Sequence, residues 1–471
     1  MKICMFVKNS FEYDARVTKE AKTLTSAGHE VTIVALLAPR VTPEFEITPY
    51  GATVIRVPRA EFGLGRITRR LSRTAERAVV RDAAERGVEV DEARLADARQ
   101  MLPLSTATPG DSHSVTGSTQ VPAGSPQGHL ARFGTRATLL MVATARFVLR
   151  ALRFVVGWLG RAIKDRAIDR RMTKAGLAVA ADVYHSHDLN TLRVGRACAK
   201  SRGARLVYDS HELASERSRM GAWARWRARR VEGRLLSAAD ALIVSSPVWI
   251  EMIERMHGVL PPHSISILNV PEHRDVVAVD VRPEVGLEPG VPLLLYQGSI
   301  QEHRGIEPAI DALSDLEDVA LVVLGYGHFR PALERMVRSR GLGERVKFFG
   351  PVSNDRLLEY TASAQVGLCN IVPASLSYAT SLPNKLFEYF MAGVPVIGSE
   401  ASEIARVVNE TGAGLVVPAT DSSAIAGAAR TILAGPAPFR VAARAASRRY
   451  RWNEEAEKVL ALYADLEDNQ S

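Results

Sequence analysis

Short apolar runs alternate with segments of helical periodicity over most of the chain. An apolar run from Lys2 to Val7 is followed by Asp14–Ala27, where apolar residues recur at helical spacing. Gly28 ends this helix, and HEVTIVALL at His29–Leu37 follows as a strand. Because a helix joins the two strands, the pattern predicts a parallel β-α-β unit whose loops point to the carboxyl edge of a sheet.

The same alternation returns later in the chain. It predicts further strands at Thr53–Pro58, Asp182–Asp188, Leu206–Glu212, Ala241–Ser246, Ile265–Val270, Pro292–Gln297, Ala320–Leu324, Val346–Gly350 and Val366–Asn370. The segment Val279–Pro292 is rich in Pro, Gly and charge, which favours a domain boundary there. The residue pattern alone therefore predicts two doubly wound α/β halves.

Residues 60–178 interrupt this pattern. Arg66–Arg99 is a highly charged helical stretch, and Leu102–Gly128 consists largely of Ser, Thr, Pro and Gly, which predicts a disordered or mobile loop. Ala137–Asp169 then has the periodicity of one long helix with a basic face and an apolar face. The basic face carries Arg146, Arg150, Arg153, Arg161 and Lys164, and the apolar face carries Phe147, Ala151, Phe154, Val155, Trp158 and Leu159.

Two interpretations of Ala137–Asp169 share the same amphipathic pattern. Either the helix rests on anionic lipid with Trp158 at the headgroup level, or it packs on the protein core with its basic face in water. Arginine interrupts the segment too often for a spanning helix. The further arginines between residues 66 and 77 favour the membrane slightly.

A candidate anion site lies at Ser381–Glu400. Pro383 disfavours helix before it, so Asn384 and Lys385 open a helix that Gly393 ends. Free N–H groups and the helix dipole attract anions at such a start, and Lys385 adds a charge. Glu388 lies about one turn further on, where it would suit ribose hydroxyls. An ordinary amphipathic helix explains the same local features equally well.

Other polar side chains follow predicted strands, as expected of the crevice in an open α/β sheet. The first-half set is His187, Asp209, His211 and Glu212. In the second half, Gly298 begins a loop that contains Arg304, and Gly325 begins a Gly-x-Gly turn. Arg16 lies on the first helix, where we expect a solvated position rather than contact with an acidic acceptor.

Composition and charge limit the kinds of partner that the protein is expected to bind. The chain has 471 residues and a formal net charge of +8, which favours anionic partners such as nucleotides or phospholipid surfaces. The sequence has none of the usual nucleic-acid motifs, which places nucleic acid last. The odd number of cysteines argues against a disulfide framework, and the first apolar run is short for a signal peptide. A reducing cytoplasm is the expected location.

These motifs, in this order, resemble the retaining glycosyltransferases of the GT-B fold, in the large family 4 group. The central match is Glu388 followed by a helix and AGVPVI, and DVYHSHD and YDSHE resemble first-domain segments of bacterial members. The resemblance covers roughly residues 1–58 and 180–465, with 60–178 outside it. It implies two Rossmann-like domains around a cleft.

The resemblance also implies roles for particular residues. His187 would contact the donor sugar, while Arg304 and Lys385 would stabilise the leaving diphosphate in place of a metal. The implied donor site further contains Gly298, Gly325, Val352, Ser381, Asn384, Glu388 and Glu400. Asp209, His211 and Glu212 would shape the acceptor side. No cofactor is expected beyond the nucleotide sugar, which is the donor substrate.

Three positions depart from the family pattern. Ser299 stands where the family has a diphosphate-binding Arg, and Thr380 stands at the first Glu of its Glu–seven residues–Glu motif. Asn9-Ser10-Phe11 replaces its Gly-rich loop after the first strand. The departures at Ser299 and Thr380 leave open a non-catalytic GT-B scaffold as an alternative to glycosyl transfer. A nucleotide-sugar epimerase is a second alternative because it shares the fold, although the basic insertion argues against it.

The sequence thus predicts an α/β protein of the GT-B fold with a helical insertion in its first domain. The predicted domains are 1–280, with the insertion at 60–178, then 281–449, and a C-terminal helix at 450–471 that crosses back to the first domain. The predicted activity is retaining transfer of a hexosyl group to a hydroxyl of a glycan or lipid-linked acceptor, in cell-envelope or polysaccharide synthesis. The expected location is cytoplasmic, with a peripheral position at the inner membrane face as the second interpretation of residues 137–169.

Overall fold

The computed structural model describes residues 1–12, 14–38, 41–59, 157, 159–218 and 220–468. The predictions for Arg66–Arg99 and Leu102–Gly128 lie outside the described residues. So does most of the predicted amphipathic helix Ala137–Asp169, including Trp158. None of the helices in the described ranges has the length and apolar character needed to cross a membrane.

The first half is built on an eight-stranded sheet in the order β3-β4-β2-β1-β5-β6-β7-β8. All its neighbouring strands are parallel except the antiparallel pair β3–β4. The strands are β1 Lys2–Phe6, β2 Glu30–Leu36, β3 Phe45–Ile47, β4 Thr53–Val57, β5 Val183–His187, β6 Arg205–Ser210, β7 Ala241–Val244 and β8 His263–Ser266. The helices are α1 Ala15–Ser26, α2 159–179, α3 Leu189–Arg202, α4 Ala222–Leu236 and α5 Val248–His257.

The second half is built on a six-stranded, fully parallel sheet in the order β11-β10-β9-β12-β13-β14. Its strands are β9 Leu293–Gln297, β10 Ala320–Leu324, β11 Val346–Phe349, β12 Val366–Cys369, β13 Val396–Ser399 and β14 Gly414–Val417. The helices are α6 Arg282–Val285, α7 Ile306–Ala312 with a 3-10 turn at Leu313–Asp315, α8 Arg330–Ser339, α9 Asn354–Thr361, α10 Leu376–Ala379, α11 Asn384–Met391, α12 Ser402–Thr411, α13 Ser422–Ala434, α14 Pro436–Arg449 and α15 Trp452–Asp468.

Central strands such as β9 and β10 are buried throughout because both faces of a parallel sheet are covered by helices. The predicted strand Ile265–Val270 is displaced, since the strand β8 ends at Ser266. Ile267, Leu268 and Val270 are buried in the core as extended loop instead. The Leu268 N–H donates to the Glu455 carboxylate at 2.8 Å, which replaces a ladder hydrogen bond.

The last helix, α15, lies against the first half. The Trp452 indole N–H donates to Thr23 Oγ1 at 2.9 Å, and the Tyr463 hydroxyl lies 2.8 Å from His185 Nδ1. Both residues are buried, so α15 completes the core over α1 and β5. The first strand and the last helix of the described chain therefore both belong to the layer built on the first sheet.

Each sheet has a point where the strand order reverses, between β1 and β5 in the first and between β9 and β12 in the second. Adjacent parallel strands diverge into loops on opposite faces at such a point, and this opens a crevice at their carboxyl ends. Among the candidate site residues, His187 ends β5 and Gly298 follows β9, so both lie at these points.

Candidate functional site

Asp209 is the centre of the polar network in the first crevice, at the carboxyl end of β6. Arg16 donates two hydrogen bonds to it, from Nε to Oδ2 at 2.8 Å and from Nη2 to Oδ1 at 2.9 Å. The guanidinium also donates to the Ile267 carbonyl at 2.8 Å. Arg16 is only 3% exposed, so the prediction of a solvated Arg16 was wrong. Although burial opposes its ionisation, the charges of Arg16 and His211 hold the pKa of Asp209 well below its usual range.

Two predicted histidines share the Asp209 carboxylate. His187 Nδ1 lies 3.2 Å and His211 Nε2 lies 3.0 Å from Asp209 Oδ2. Burial alone would lower the pKa of His211, but the Asp209 and Asp188 carboxylates outweigh it and raise that pKa to about 9. His211 is therefore a cation at neutral pH. Glu212 lies apart from this network, in an ion pair of 2.8 Å with Arg217.

Sequence reasoning missed Glu20 and His185, which complete the buried network. Glu20 Oε1 lies 3.1 Å from Arg16 Nε, and burial together with Asp209 raises the pKa of Glu20 to about 7. His185 stacks on His187 with ring centroids 4.2 Å apart. A signal was available, because Arg16 and Glu20 lie on the same helical stripe as Val17, Ala21 and Leu24.

Four of these groups have the composition of a metal site. Glu20, His185, His187 and Asp209 each offer one ligand atom within 4.8 Å of the others, a proximity that sequence spacing did not reveal. The arginine Arg16 lies between the two carboxylates, however, and pairs with both. A guanidinium thus already supplies the positive charge that an ion would bring to these carboxylates.

The loops after β9 and β10 contact each other at Gly298 and Gly325, two of the predicted site residues. Gly325 has a φ of 142°, and a Cβ atom there would lie 2.0 Å from the Gly298 carbonyl oxygen. The Ile300 N–H donates to the Tyr326 carbonyl at 2.8 Å just beyond this contact. Only glycine lets the two backbones approach so closely. The contact fixes the loop that leads from Gly298 to Arg304.

Lys385 extends its ammonium group towards this loop from the first turn of α11. Its Nζ lies 3.5 Å from the centroid of the Tyr296 ring and has no hydrogen-bond partner among the residues that the structure describes, although Lys385 is only 8% exposed. A Cβ atom at Gly298 would lie 3.9 Å from this nitrogen. Burial lowers the pKa of Lys385 to about 7, and the nearby charge of Arg304 contributes. Arg304 itself lies over the Tyr378 ring at 4.8 Å.

Glu388 is held at the cavity wall by a buried hydrogen-bond chain. The Thr361 hydroxyl donates to Gln297 Oε1 at 2.8 Å, and Gln297 Nε2 donates to Glu388 Oε2 at 2.6 Å. Burial raises the pKa of Glu388, while the charges of Lys19 and Lys385 oppose this shift. Lys19 comes from α1, where it donates to Asn269 Oδ1 at 2.7 Å. Sequence reasoning missed both Gln297 and Lys19.

The other predicted donor residues have varied surroundings. Asn384 lines the cavity at the start of α11, and Val352 packs against the core. The Ser381 hydroxyl donates to the Tyr378 carbonyl at 3.3 Å. The Glu400 carboxylate accepts from the Ala419 N–H at 2.6 Å, so one of its oxygens holds the loop after β14.

Thr380, where the family has its first Glu, contacts the first half of the protein. Its hydroxyl accepts from the Trp249 indole N–H at 2.8 Å and donates to the Leu376 carbonyl at 2.8 Å. The Ser246 hydroxyl donates to the Thr380 carbonyl at 2.9 Å. The Thr380 side chain is therefore engaged in joining the two halves.

A cavity of about 440 Å³ lies between the two halves. The first half contributes the loop after β1, the start of α1, His211 and Asn269, and the second half contributes Tyr326, Asn354, Asn384 and Glu388. The volume and the many amide and carboxylate groups suit a polar, hydroxyl-rich ligand.

Family models match both halves of the chain. The description "Glycosyl transferase 4-like domain" matches residues 77–269, and "Glycosyl transferases group 1" matches residues 280–459. The first match begins at residue 77, so it includes part of the segment 60–178 that the motifs alone left outside the resemblance.

Among curated proteins, the chain is similar to D-inositol 3-phosphate glycosyltransferase of Xylanimonas cellulosilytica, with 30% identity over 306 residues. That match covers 60% of this chain and 72% of the relative. The phosphatidyl-myo-inositol mannosyltransferase of Mycobacterium leprae is 28% identical over 208 residues, which are 42% of this chain and 53% of the relative.

Solved structures share the fold. Sucrose-phosphate synthase of Thermosynechococcus elongatus superposes over 100% of both chains with a TM-score of 0.67 and 19% identity. Anabaena Alr3699/HepE, in complex with UDP and glucose, covers 99% of this chain and 100% of its own with a TM-score of 0.61 and 13% identity. Taken with the two parallel sheets and the family models, these matches establish that the chain belongs to the GT-B glycosyltransferases of the family 4 type.

Proposed function

We propose that this glycosyltransferase moves a sugar, with retention of configuration, from a nucleotide diphosphate sugar to a hydroxyl of a glycan or lipid-linked acceptor. The observation that carries the proposal is the buried ammonium group of Lys385 beside Gly298, which lies over the Tyr296 ring but has no hydrogen-bond partner among the described residues. A buried cation without a partner is costly unless a ligand supplies the opposite charge. The leaving diphosphate of the donor would supply it.

The chemistry requires stabilisation of negative charge on the leaving diphosphate. Lys385, Arg304 and the first N–H groups of α11 provide positive potential that is fixed before the reaction begins. Because the chain itself supplies this charge, we propose that transfer proceeds without a metal ion. Glu388, held by Gln297, would accept hydrogen bonds from the ribose hydroxyls.

The first crevice would bind the reacting sugars. The buried Nε2 atom of His187 has no hydrogen-bond partner in the described part of the chain, while its Nδ1 lies 3.2 Å from Asp209 Oδ2. We assign Nε2 to a donor-sugar hydroxyl, and the residues Asp209, His211 and Glu212 to the acceptor side. The complex of Anabaena Alr3699/HepE with UDP and glucose supports the donor class, since that protein shares the fold.

For the acceptor we propose a cell-envelope or polysaccharide precursor, with the enzyme in the cytoplasm or peripheral at the inner membrane face. The names of its relatives, which act on D-inositol 3-phosphate or phosphatidyl-myo-inositol, agree with a polyhydroxylated acceptor. The cavity, which is rich in amide and carboxylate groups, agrees as well.

A thermal-shift panel tests the donor assignment. UDP, GDP, ADP and their common sugars are added with EDTA present, and one nucleotide is expected to raise the melting temperature. Lys385→Ala should reduce that shift, whereas Lys200→Ala, an exposed position on α3, should not. Failure of every nucleotide to raise the melting temperature would contradict the proposed donor class.

A further inference from the structure

Helices α3 and α4 together present a strongly basic surface on the first half. The two helices are neighbours, and both line a groove of about 320 Å³. Each helix carries a row of exposed cations at helical spacing on this surface. The row on α3 is Arg193, Arg196 and Lys200, and the row on α4 is Arg227, Arg230 and Arg234. The only acidic residue in either helix, Glu232, is 2% exposed, so no carboxylate of α3 or α4 offsets this charge.

Two tryptophans project from the same face of α4. Trp223 is 60% exposed and Trp226 is 56% exposed, and they are spaced so that they share a face with Arg227, Arg230 and Arg234. The Arg227 guanidinium lies 5.7 Å from the Trp223 ring centroid, and that of Arg230 lies 5.6 Å from the Trp226 ring centroid. Isolated exposed apolar residues are common, but two adjacent exposed indoles are not explained by folding.

The arginines on the other side of α4 behave differently. Arg229 lies 2.6 Å and Arg225 lies 3.8 Å from the Glu216 carboxylate. Within the part of the chain that the structure describes, none of the six outward cations forms an ion pair with a carboxylate. One side of helix α4 thus forms ion pairs within the protein, and the cations on its other side are available to an external partner.

The groove between the helices combines charge with apolar contact. Arg193, Arg196, Lys200 and Arg234 line it together with the aliphatic side chains of Ala197, Val231 and Leu235. A phosphate group could be held by the cations while a neighbouring chain covers the aliphatic residues. That combination suits an anionic amphiphile better than a free phosphate ion.

From these features we propose that the α3–α4 face binds the surface of an anionic lipid bilayer. Indole rings are favoured at the boundary between headgroups and acyl chains, and basic residues near the surface add attraction to anionic lipid. Nucleic acid would account for the charge but not for the aliphatic groove lining. This surface is separate from residues 137–169, and it goes beyond the sugar-transfer reaction proposed above.

Vesicle co-sedimentation of the full chain tests the surface. Wild-type protein should bind vesicles of phosphatidylglycerol and phosphatidylcholine, bind pure phosphatidylcholine vesicles far more weakly, and lose binding at high salt. Arg227→Glu with Arg230→Glu should weaken partition to the anionic vesicles by more than tenfold. Trp223→Ser with Trp226→Ser should weaken it by a similar factor, and Arg227→Lys with Arg230→Lys should restore most of the binding.

The matched control is Arg335→Glu with Arg338→Glu, which reverses two exposed arginines on α8 in the second half. Equal binding by the α4 variants and this control would overturn the proposal, as would binding of duplex DNA in preference to anionic vesicles. The nucleotide thermal shift should be unchanged in all variants. The thermal shift measures nucleotide binding and not membrane binding. The membrane proposal and the proposed transfer reaction can therefore each fail independently of the other.

Discussion

Lys385 is the residue on which the proposed chemistry most depends. Its ammonium group is buried next to a loop that contains Arg304, and none of the described residues forms a hydrogen bond with it. We expect Lys385→Ala to lower kcat/KM by about 10²–10³-fold, or roughly 2.7–4 kcal/mol, as when other preorganised charge donors are removed. Steady-state kinetics with the nucleotide sugar identified by the thermal-shift panel would measure it. Lys200→Ala is the control, and equal kcat/KM in the two variants would remove Lys385 from the site.

The pKa of Lys385 makes a separate prediction about stability. Burial lowers it from 10.5 to about 7, so between these pH values the native protein has released a proton that the unfolded chain retains. The free energy of unfolding should therefore rise with pH across this window, and the cost of burying the charge is fully present below pH 7. Lys385→Met should remove that cost.

Urea unfolding at a series of pH values measures this effect. Below pH 7 we expect Lys385→Met to be more stable than wild type by a few kcal/mol, since each pKa unit corresponds to about 1.4 kcal/mol. The advantage should shrink as the pH rises towards 10.5, the ordinary value. A constant difference at every pH would show that the ammonium group is not desolvated. Lys200→Met gives the reference for an exposed lysine.

Arg16 should be essential for folding stability. It pairs with Asp209 and Glu20, and all three residues are buried. Removing one member of a buried charge network leaves the others unpaired, which typically costs about 3–5 kcal/mol. We expect Arg16→Met to lose that much in urea denaturation, while Arg335→Met, at an exposed position, should change by less than about 0.5 kcal/mol.

These residues also show what the sequence can reveal. Lys385 and Glu388 were predictable because a Pro-then-helix pattern places them at a helix start. The burial of Arg16, a residue of helix α1, was not predicted, because its partner Asp209 is 193 positions away and comes from strand β6. The metal-like grouping of Glu20 with His185 has the same origin, since the fold brings Glu20 Oε2 of α1 to within 3.9 Å of His185 Nε2 of β5, although the two residues are far apart in sequence.

At the scale of elements, the hydrophobic pattern located most strands of the two sheets to within a few residues. It failed at β8, where Ile267, Leu268 and Val270 are buried as loop because α15 supplies the hydrogen bond that a strand would have made. The short helix α6 at Arg282–Val285 also went unpredicted, inside the segment taken as a linker. An apolar pattern predicts that a segment is buried. The segment forms a strand only where a neighbouring strand is available to pair with it.

Gly325 follows β10, and its backbone lies against Gly298 at the end of β9. This contact gives a prediction at the scale of elements. Alanine there would adopt a φ that side chains rarely take and would bring its Cβ within 2.0 Å of the Gly298 carbonyl. We expect Gly325→Ala to cost at least about 1–3 kcal/mol and to weaken nucleotide binding, because the Gly298–Arg304 loop must move. Chemical denaturation and the nucleotide thermal shift give the two readouts.

The control for this variant lies at the end of the next strand. Gly350 follows β11, has no atom within 4 Å of a Cβ position and needs no unusual φ. Gly350→Ala should therefore leave both stability and nucleotide binding close to those of wild type. If Gly325→Ala behaved in the same way, the close approach of the two loops would not matter for the site.

At the scale of the whole molecule, the two α/β halves follow from the alternation of strands and helices, but their junction does not. Trp249 and Thr380, which form a hydrogen bond across the junction, are separated by 131 positions. The cavity between the halves depends on this junction because its wall contains residues of both. A sequence pattern describes each half and carries no information on how closely the halves approach.

The Trp249–Thr380 contact gives the prediction at this scale. Thr380→Val keeps the shape of the side chain but removes the acceptor of the indole N–H, and Trp249 is 1% exposed. Leaving such a donor unpaired should cost about 1–3 kcal/mol in denaturant unfolding, and Thr380→Ser should restore the wild-type value because it keeps the hydroxyl. Since the contact joins the halves, Thr380→Val should also weaken nucleotide-sugar binding in the thermal-shift assay. Loss of stability with unchanged binding would show that the junction supports the fold without setting the width of the cavity.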